Sequence, residues 1–373
     1  MSGKDYKVIY IGKYSSAEIL TGNIKVAKRI FQESAGRRRT LFIEYFFEGE
    51  KYGYFKKFFG RETVEKFKDS IVMKYGILRM LLVLIKHKPR IVHIIIAERF
   101  AVFSFVYKMF SRAKFIFSLH GIHKYEYEYL MKTKKFFRWK SLLAEKYFLK
   151  YSDLILCLSD DSGKMIKSYY SVPDTKFRLV PNGADEVFHK SGINRKYNFS
   201  KNLKLVFISD YNRPEKGFVF LKDALEKIDF VLELYIINDK NDKPVTNNKN
   251  IIIHCVDKMP SDELAKFLTD KDIILCTSNY EHFSVAFAEA MASGLVPVTT
   301  RVNGASRYIQ NNVNGFVIDY GNKYLLSDII CNLDKNRNIL KEISEESSKI
   351  YETLRWDKIF DEYELIYNSM ISK

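Results

Sequence analysis

Short apolar runs alternate with longer amphipathic stretches along most of the chain. The first series of apolar runs occupies residues 7–11, 40–47, 90–96, 114–119, 153–158 and 177–180. Helical patterns separate most of these runs, notably at 62–88, 100–112 and 135–150. Strands that alternate with helices are typical of a parallel sheet covered on both faces. The pattern therefore predicts an α/β protein.

The alternation stops once and then restarts. Residues 181–185 (PNGAD) form a concentrated turn signal, and the polar, weakly periodic stretch up to Asn202 reads as a linker. A new strand pattern begins at Leu203, and 373 residues are too many for one ordinary domain. We predict two Rossmann-like domains, residues 1–185 and 186–355, followed by a helix over 356–373.

The stretch Ile273–Thr300 predicts one complete strand–loop–helix–turn–strand unit. Ser284 is a good N-cap, and Gly294 stands where a helix end favours positive φ. In such a unit the loop and the first helical turn lie at the carboxyl edge of the sheet, where free N–H groups favour an anion such as phosphate. Glu281 in the loop and Glu289 in the helix would then face that edge, although acids on a solvated helix face would give the same spacing.

Other candidate residues also follow predicted strands. His120 directly follows the run 114–119. It could donate a hydrogen bond to a reacting sugar, or merely cap the end of a strand. Gly22 begins the first helix and would let a ligand approach the backbone closely. Arg213 and Lys216 flank the turn after 203–209, where cations could neutralise a diphosphate, or simply be solvated.

The charge is divided unequally between the two halves. Residues 1–190 contain 37 basic and 19 acidic residues, whereas the remainder contains 24 and 26. The basic half is also rich in aromatic residues, as in 52–59 (YGYFKKFF) and 134–140 (KKFFRWK). This mixture suits an anionic membrane surface or a nucleic acid, and ordinary solvated lysine faces would also produce it.

No membrane span or export signal is expected. No run reaches the roughly 18 apolar residues that a span needs, and the first residues lack a signal peptide's apolar region. We therefore expect a cytoplasmic protein, with a peripheral position on the inner face of the cell membrane as the alternative.

Several motifs together resemble the retaining glycosyltransferases of family 4, which have the two-domain GT-B fold. The densest match runs from Ser278 to Asp319. It comprises Ser278, Glu281, Phe283, Glu289-Ala290-Met291, Gly294, Pro297-Val298, Gly304 and Asn314-Gly315. Weaker matches include Gly22, His120, Pro181-Asn182-Gly183, Lys216-Gly217, Trp356 and Tyr367. The chain departs from the family where Tyr211 occupies the usual arginine position and where His282 and Ser284 replace glycines.

The resemblance implies sugar transfer from a nucleotide diphosphate donor, of UDP or GDP type, to an acceptor hydroxyl with retention of configuration. Glu289 would bind the ribose, and Glu281 would lie by the sugar. The diphosphate would contact Lys216 and Arg213 together with the backbone amides of Phe283, Ser284 and Val285, next to Ser278. His120 would act near the reacting sugar, and Gly22 near the donor. The last helix would cross back to the first domain.

We expect neither a cofactor nor a metal, because neither an Asp-x-Asp triplet nor a histidine cluster is identified and cations can stabilise the leaving phosphate. The basic first domain would hold a glycan or lipid-linked acceptor, with a role in bacterial surface polysaccharide assembly. Two alternatives stay open. A basic nucleic-acid-binding protein would show steep salt dependence, and a sugar phosphorylase of the same fold would carry a lysine-bound pyridoxal cofactor.

Overall fold

The chain forms two compact units, one of which is discontinuous in sequence. In the computed structural model, residues 6–46, 52–96, 98–130, 135–193, 195, 197, 201–238 and 244–372 are described. Unit 1 comprises Met1–Pro181 together with Trp356–Lys373, and unit 2 comprises Asn182–Arg355. None of the described helices combines the length and apolar character needed to cross a membrane.

Unit 1 is built on a sheet of eight described strands in the order β3-β4-β2-β1-β5-β6-β7-β8, all parallel except β3. The strands are β1 (Val8–Ile11), β2 (Leu41–Tyr45), β3 (Arg61–Phe67), β4 (Ser70–Tyr75), β5 (Ile91–Ile94), β6 (Lys114–Leu119), β7 (Leu154–Cys157) and β8 (Phe177–Leu179). The helices are α1 (Gly22–Arg37), α2 (Tyr54–Phe59), α3 (Ile77–His87), α4 (Ser104–Lys108), α5 (His123–Tyr125), α6 (Lys135–Tyr151), α7 (Asp160–Tyr169) and α15 (Trp356–Ile371).

Unit 2 is built on a parallel sheet whose six described strands run in the order β11-β10-β9-β12-β13-β14. The strands are β9 (Leu203–Ile208), β10 (Leu232–Ile237), β11 (Ile251–Val256), β12 (Ile273–Cys276), β13 (Val296–Thr300) and β14 (Phe316–Ile318). The helices are α8 (Glu186–Ile193), α9 (Phe218–Leu225), α10 (Ser261–Leu268), α11 (Val285–Ala292), α12 (Lys323–Lys335), α13 (Arg337–Ser348) and α14 (Tyr351–Leu354).

The central strands are mostly apolar on both faces, as expected of a parallel sheet with helices on both sides. In β12 all four residues are buried, and in β13 all five are. Each sheet has its own apolar core, with Phe117 and Phe148 among the buried residues of unit 1 and Phe207 and Leu275 among those of unit 2. The predicted α/β class with two parallel-sheet units is confirmed.

The prediction of one helical pattern over 62–88 is wrong in its first part. This stretch begins with the hairpin β3–β4 and only then enters α3. Lys68, at φ 53°, makes the tight turn, and β4 is drawn into the sheet by pairing with β2. The mixed polar and apolar residues of 62–75 fit a half-buried edge hairpin, whose period differs from that of a helix.

The stretch predicted as a linker after residue 185 also contains a helix, α8. Only Phe188 of this helix is a buried apolar residue, which explains its weak periodicity. The end of α8 packs closely on α11, since a Cβ atom on Gly192 would lie 2.9 Å from the carbonyl carbon of Ser293.

Candidate active site

The sheet of unit 2 contains a topological switch point at its carboxyl edge. From β9 the chain leads to β10 on one side, whereas β12 pairs with the other side of β9. Loops that leave two such strands diverge and open a crevice, which is the usual ligand position in an open α/β sheet. The loops concerned are 209–217 and 277–284, which hold most of the predicted site residues.

Gly217 joins these two loops by close backbone contact. It has φ +68°, and a Cβ atom here would lie only 1.9 Å from the carbonyl oxygen of Thr277. The Thr277 hydroxyl donates to the carbonyl oxygens of Lys216 (3.2 Å) and Gly217 (3.1 Å). The turn that carries Lys216 is therefore fixed against the end of β12.

Lys216 and Glu281, which lie 65 positions apart in sequence, meet in a half-buried ion pair. Lys216 Nζ lies 2.7 Å from Glu281 Oε2, and the two side chains are 16% and 18% exposed. Burial alone would lower the pKa of Lys216, but the charge and hydrogen bond of Glu281 outweigh it and raise that pKa. The crevice thus holds a lysine that is a cation at neutral pH.

Arg213 and Tyr211 clarify the departure from the family pattern. The Arg213 guanidinium donates to the buried carboxylate of Glu215, with Nε 2.5 Å from Oε1. Its positive charge also acts on Lys216, lowering the pKa of that lysine. Tyr211 packs against the apolar core of unit 2, with its ring 5.5 Å from that of Phe218. Arg213 is therefore the cation that accompanies Lys216 on this turn.

The N-cap predicted at Ser284 is present at the N-terminus of α11. The Ser284 hydroxyl accepts from the Phe287 amide at 3.3 Å, as an N-cap does. Asn303, which the sequence analysis does not single out, accepts from the Ser284 amide through Oδ1 at 3.2 Å. The amides of Val285 and Ala286 belong to the first turn, which has no intrahelical acceptor.

The residues around this N-terminus are mostly buried. Ser278, Phe283, Val285 and Glu289 are all buried, and Glu289 lies in the second turn of α11. The Ser278 carbonyl accepts from the Thr300 hydroxyl at 2.5 Å, which holds the loop against β13.

His282 occupies a position where the family often has glycine. Its Nε2 lies 2.6 Å from the Tyr280 hydroxyl, and both side chains are buried. The bulk of His282 is therefore accommodated inside the loop by a specific hydrogen bond.

In unit 1, His120 follows β6 at the carboxyl edge, beside a compact turn. Glu145, on α6, holds this turn although sequence reasoning did not single it out. Its carboxylate is buried and accepts from the amides of His123 (2.5 Å) and Lys124 (3.3 Å) and from the Tyr170 hydroxyl (2.6 Å). A lone glutamate in an amphipathic helix gives no signal of such a role.

Glu126 completes the turn. A Cβ atom on Gly121 would lie 2.8 Å from Glu126 Oε1, and His123 Nδ1 lies 3.7 Å from Glu126 Oε2. Burial lowers the pKa of His123, but the nearby carboxylates, with Glu126 the strongest, raise it overall. The turn that follows His120 in the sequence therefore contains an imidazole and is held by two carboxylates.

Gly22 begins α1, and a Cβ atom there would meet no atom within 4 Å. The glycine of this region with little space around its Cα atom is Gly12, directly after β1. A Cβ atom there would lie 3.3 Å from the amide nitrogen of Ile96. The structure therefore shows close backbone approach at Gly12 and open space at Gly22.

Asp270 and Asp272 form an Asp-x-Asp triplet, so the statement that the sequence contains none is wrong. They precede β12 at the amino end of the strand, opposite the crevice. Asp272 accepts from the Lys204 amide at 2.8 Å, and Asp270 pairs with the side chains of Lys204 and Lys271. This acidic pair is part of a lysine-paired cluster outside the candidate site.

Two family models match successive parts of the chain. Residues 190–350 match the model described as "Glycosyl transferases group 1", and residues 51–188 match "Glycosyltransferase Family 4". Together they extend over both units.

Curated relatives match part of the chain at low identity. An uncharacterized glycosyltransferase of Methanocaldococcus jannaschii is 28% identical over 231 residues, covering 59% of this chain and 61% of the relative. The N-acetyl-alpha-D-glucosaminyl L-malate synthase of Bacillus anthracis is 25% identical over 242 residues, covering 61% and 62%. The matched parts thus span about three fifths of these relatives' length.

Solved structures are similar over almost the whole chain. Sucrose-phosphate synthase from Thermosynechococcus elongatus superimposes with a TM-score of 0.75 at 12% identity, covering 98% of this chain and 100% of that one. HepE from Anabaena in complex with UDP-glucose gives a TM-score of 0.69 at 15% identity, covering 97% and 100%. These likenesses confirm the predicted GT-B fold class, whereas the roles of the individual site residues stay predictions.

Proposed function

The chain belongs to the group 1 glycosyltransferases, and from that premise we propose that it transfers a sugar from a nucleoside diphosphate sugar to a hydroxyl acceptor with retention of configuration. The observation that carries the proposal is the Lys216–Glu281 pair at the switch point of unit 2, beside the N-terminus of α11. A cation and free helix amides suit a diphosphate, and a carboxylate suits sugar hydroxyls.

Unit 2 is the proposed donor-binding unit. Lys216 and Arg213 would contact the diphosphate with the first-turn amides of α11, and Glu289 would accept hydrogen bonds from the ribose hydroxyls. HepE, a protein of similar fold, has been crystallised with UDP and with UDP-glucose, which favours a UDP sugar as the first donor to test.

The proposed reaction breaks the bond between the anomeric carbon and the diphosphate oxygen and forms a bond to the acceptor oxygen on the same face. The departing phosphate oxygen takes the acceptor proton. The protein then acts mainly by stabilising negative charge on the leaving group, a task that Lys216 can perform without a metal. We propose a glycan or lipid-linked acceptor in surface polysaccharide assembly, at the cytoplasmic membrane face.

Nucleotide binding is tested by thermal unfolding with UDP, GDP, ADP and their sugars, because a ligand of the folded state raises the melting temperature. At about 100 times Kd the matching nucleotide should add about 2.7 kcal/mol to the free energy of unfolding. A flat response to every nucleotide would overturn the proposal. A pyridoxal absorbance band in the purified protein would instead favour the phosphorylase.

Two substitutions test the assigned roles. Glu289→Ala should weaken nucleotide affinity about tenfold or more, since it removes a charged hydrogen-bond acceptor. Lys216→Ala should reduce kcat by about 10²–10³-fold, as removal of a charge-stabilising group does. Glu263→Ala and Lys266→Ala, which change exposed residues of α10, are the matched controls. Normal donor hydrolysis in both site variants would contradict the assignments.

A further inference from the structure

Helix α3 of unit 1 is apolar on its outer face as well as its inner face. Met80 and Leu84 are buried against the core. Leu78, Leu82 and Ile85, spaced four and three residues apart, are exposed, and Leu82 is 58% exposed. This spacing places the three side chains in one stripe. Exposed apolar side chains grouped in one stripe, unlike scattered ones, indicate a contact surface.

Helix α2 extends the apolar surface on one side of α3. None of its six residues is buried, and Phe55 is 77% exposed. The two helices are fixed against each other, because the Gly76 amide donates to the Gly60 carbonyl at 3.0 Å and a Cβ atom on Gly76 would lie 2.4 Å from Phe58. The exposed aromatic side chains of α2 are Tyr54, Phe55, Phe58 and Phe59.

Helix α4 extends the surface on another side of α3, which it contacts. Met109, directly after α4, is 85% exposed, and Phe110 beside it is exposed too. We call the combined surface the α2–α3–α4 face. Its exposed apolar residues are Tyr54, Phe55, Phe58, Phe59, Leu78, Leu82, Ile85, Phe103, Val106, Met109 and Phe110.

The charge around α3 and α4 is almost entirely positive, whereas beside α2 the side chain of Lys56 pairs with Glu62 at 3.6 Å. Between Ser70 and Tyr125 the sequence contains ten lysines and arginines and one acidic residue, Glu98. Exposed cations stand on or next to the helices of the face. They include Arg79, Lys86, Lys88 and Arg112.

We propose that the α2–α3–α4 face docks on the surface of an anionic phospholipid bilayer. Exposed Phe, Leu and Met side chains gain free energy by entering the acyl boundary, while lysines and arginines beside them contact lipid phosphates. A second copy of the chain is a poor occupant, because two faces rich in cations repel each other. A nucleic acid would use the cations but would leave the aliphatic stripe of α3 in water.

This docking rests in part on the proposed function, since it would bring the enzyme to a lipid-linked acceptor. Binding to lipid and binding to nucleotide are separable measurements, however. A protein that binds UDP but no vesicle would overturn the docking face alone, and one that binds vesicles but no nucleotide would overturn the proposed function alone.

The test is flotation of the full chain with vesicles of phosphatidylcholine, with and without phosphatidylglycerol. We expect binding to the anionic vesicles at low salt and much less to pure phosphatidylcholine. Leu82→Glu with Ile85→Glu should lower the bound-to-free ratio by about tenfold or more, as expected for two lost apolar contacts. Lys86→Gln with Arg112→Gln should lower it about fivefold per cation.

Matched controls carry the same changes elsewhere. Leu365→Glu alters a 70% exposed leucine on α15 of the same unit, and Lys335→Gln with Lys341→Gln removes two cations from unit 2. Both should float like the wild type, and all variants should keep the wild-type melting temperature because the altered side chains are exposed.

Three results would overturn the proposal. The first is the absence of flotation with anionic vesicles, and the second is equal loss of binding in the control variants. The third is a protein that does not bind vesicles but uses Leu82 and Ile85 for another contact. That contact would be seen as binding to duplex or single-stranded RNA, or as self-association in sedimentation.

Discussion

Glu281 keeps Lys216 charged in a half-buried turn, and this contact has a consequence for pH dependence. Burial lowers the pKa of the lysine, and the carboxylate 2.7 Å away more than restores it. In Glu281→Gln the burial effect should dominate, so that Lys216 loses its proton at a lower pH.

We therefore predict a change in the pH profile of nucleotide binding. In the wild type, UDP affinity should be nearly constant from about pH 7 to 9, below the ordinary pKa of lysine. In Glu281→Gln it should fall as pH rises through the lowered pKa of Lys216. Calorimetric titration with UDP across this range measures both curves, and parallel curves would contradict the prediction.

Glu145 supports the turn beside His120, and its negative charge raises the pKa of His123. Glu145→Gln should destabilise unit 1 by about 1–3 kcal/mol, because the amide side chain cannot replace all three accepted hydrogen bonds. It should also lower the pKa of His123, which that carboxylate helps to raise. NMR titration of the His123 ring follows the pKa, with Tyr170→Phe as a control that removes one hydrogen bond and no charge.

At this scale the sequence predicted which residues come together better than how each is held. That Lys216 and Glu281 share the carboxyl edge follows from strand–helix order alone. The hydrogen bonds of Asn303 and His282 depend on side-chain positions within about 3 Å, which no periodicity encodes. The packing of Tyr211 against the core of unit 2 and the hydrogen bond from Arg213 to Glu215 likewise needed the structure.

Among the elements, those with strong periodicity were predicted well. The unit Ile273–Thr300 was correctly predicted as β12, α11 and β13, with the Ser284 cap and positive φ at Gly294 (+79°). The β3–β4 hairpin was missed because its register is set by pairing with β2 and not by its own pattern. Local sequence therefore predicted the elements that carry the site but not this edge of unit 1.

Gly217 provides a prediction about the loop that carries Lys216. Gly217→Ala should cost at least about 2 kcal/mol, since it places a Cβ atom against the Thr277 carbonyl at a positive φ. Displacement of this turn should also weaken UDP binding. Denaturant unfolding and UDP titration measure the two effects.

Gly36→Ala is the matched control for this change. It places a Cβ atom on α1 with no atom within 4 Å and should be neutral or stabilise by up to about 1 kcal/mol. Equal effects of the two substitutions would show that the Thr277 contact is unimportant.

On the scale of the whole molecule, α15 is integrated into unit 1 by a buried polar network. Tyr367 of α15 bonds His93 Nδ1 at 2.7 Å, and His93 Nε2 lies 2.8 Å from the Ser118 hydroxyl. Arg37 of α1 pairs with Asp361 at 2.5 Å. Burial, with a smaller effect of His120, lowers the pKa of His93 to about 3.

This histidine predicts an acid-sensitive contribution to stability. The folded pKa of His93 is below the ordinary value of 6.5, so the unfolded chain binds the proton more readily. The contribution of neutral His93 to the free energy of unfolding is complete above about pH 6.5. It is lost between that pH and pH 3, by up to about 1.4 kcal/mol per pH unit. His93→Gln should be less stable than wild type at pH 7, with a difference that narrows at pH 4 in thermal unfolding. A constant difference would exclude this cause.

The discontinuity of unit 1 imposes an order on synthesis. Residues 1–181 leave the ribosome first, yet the helix that buries His93 and Tyr10 follows the whole of unit 2. At about 5–20 residues per second, the nascent first half waits roughly 10–35 s for its last helix, while the uninterrupted unit 2 can already fold. During that interval the surface of unit 1 that α15 covers is exposed and available for chaperone binding. A chain whose synthesis stalls before residue 356 should therefore be isolated in complex with chaperones.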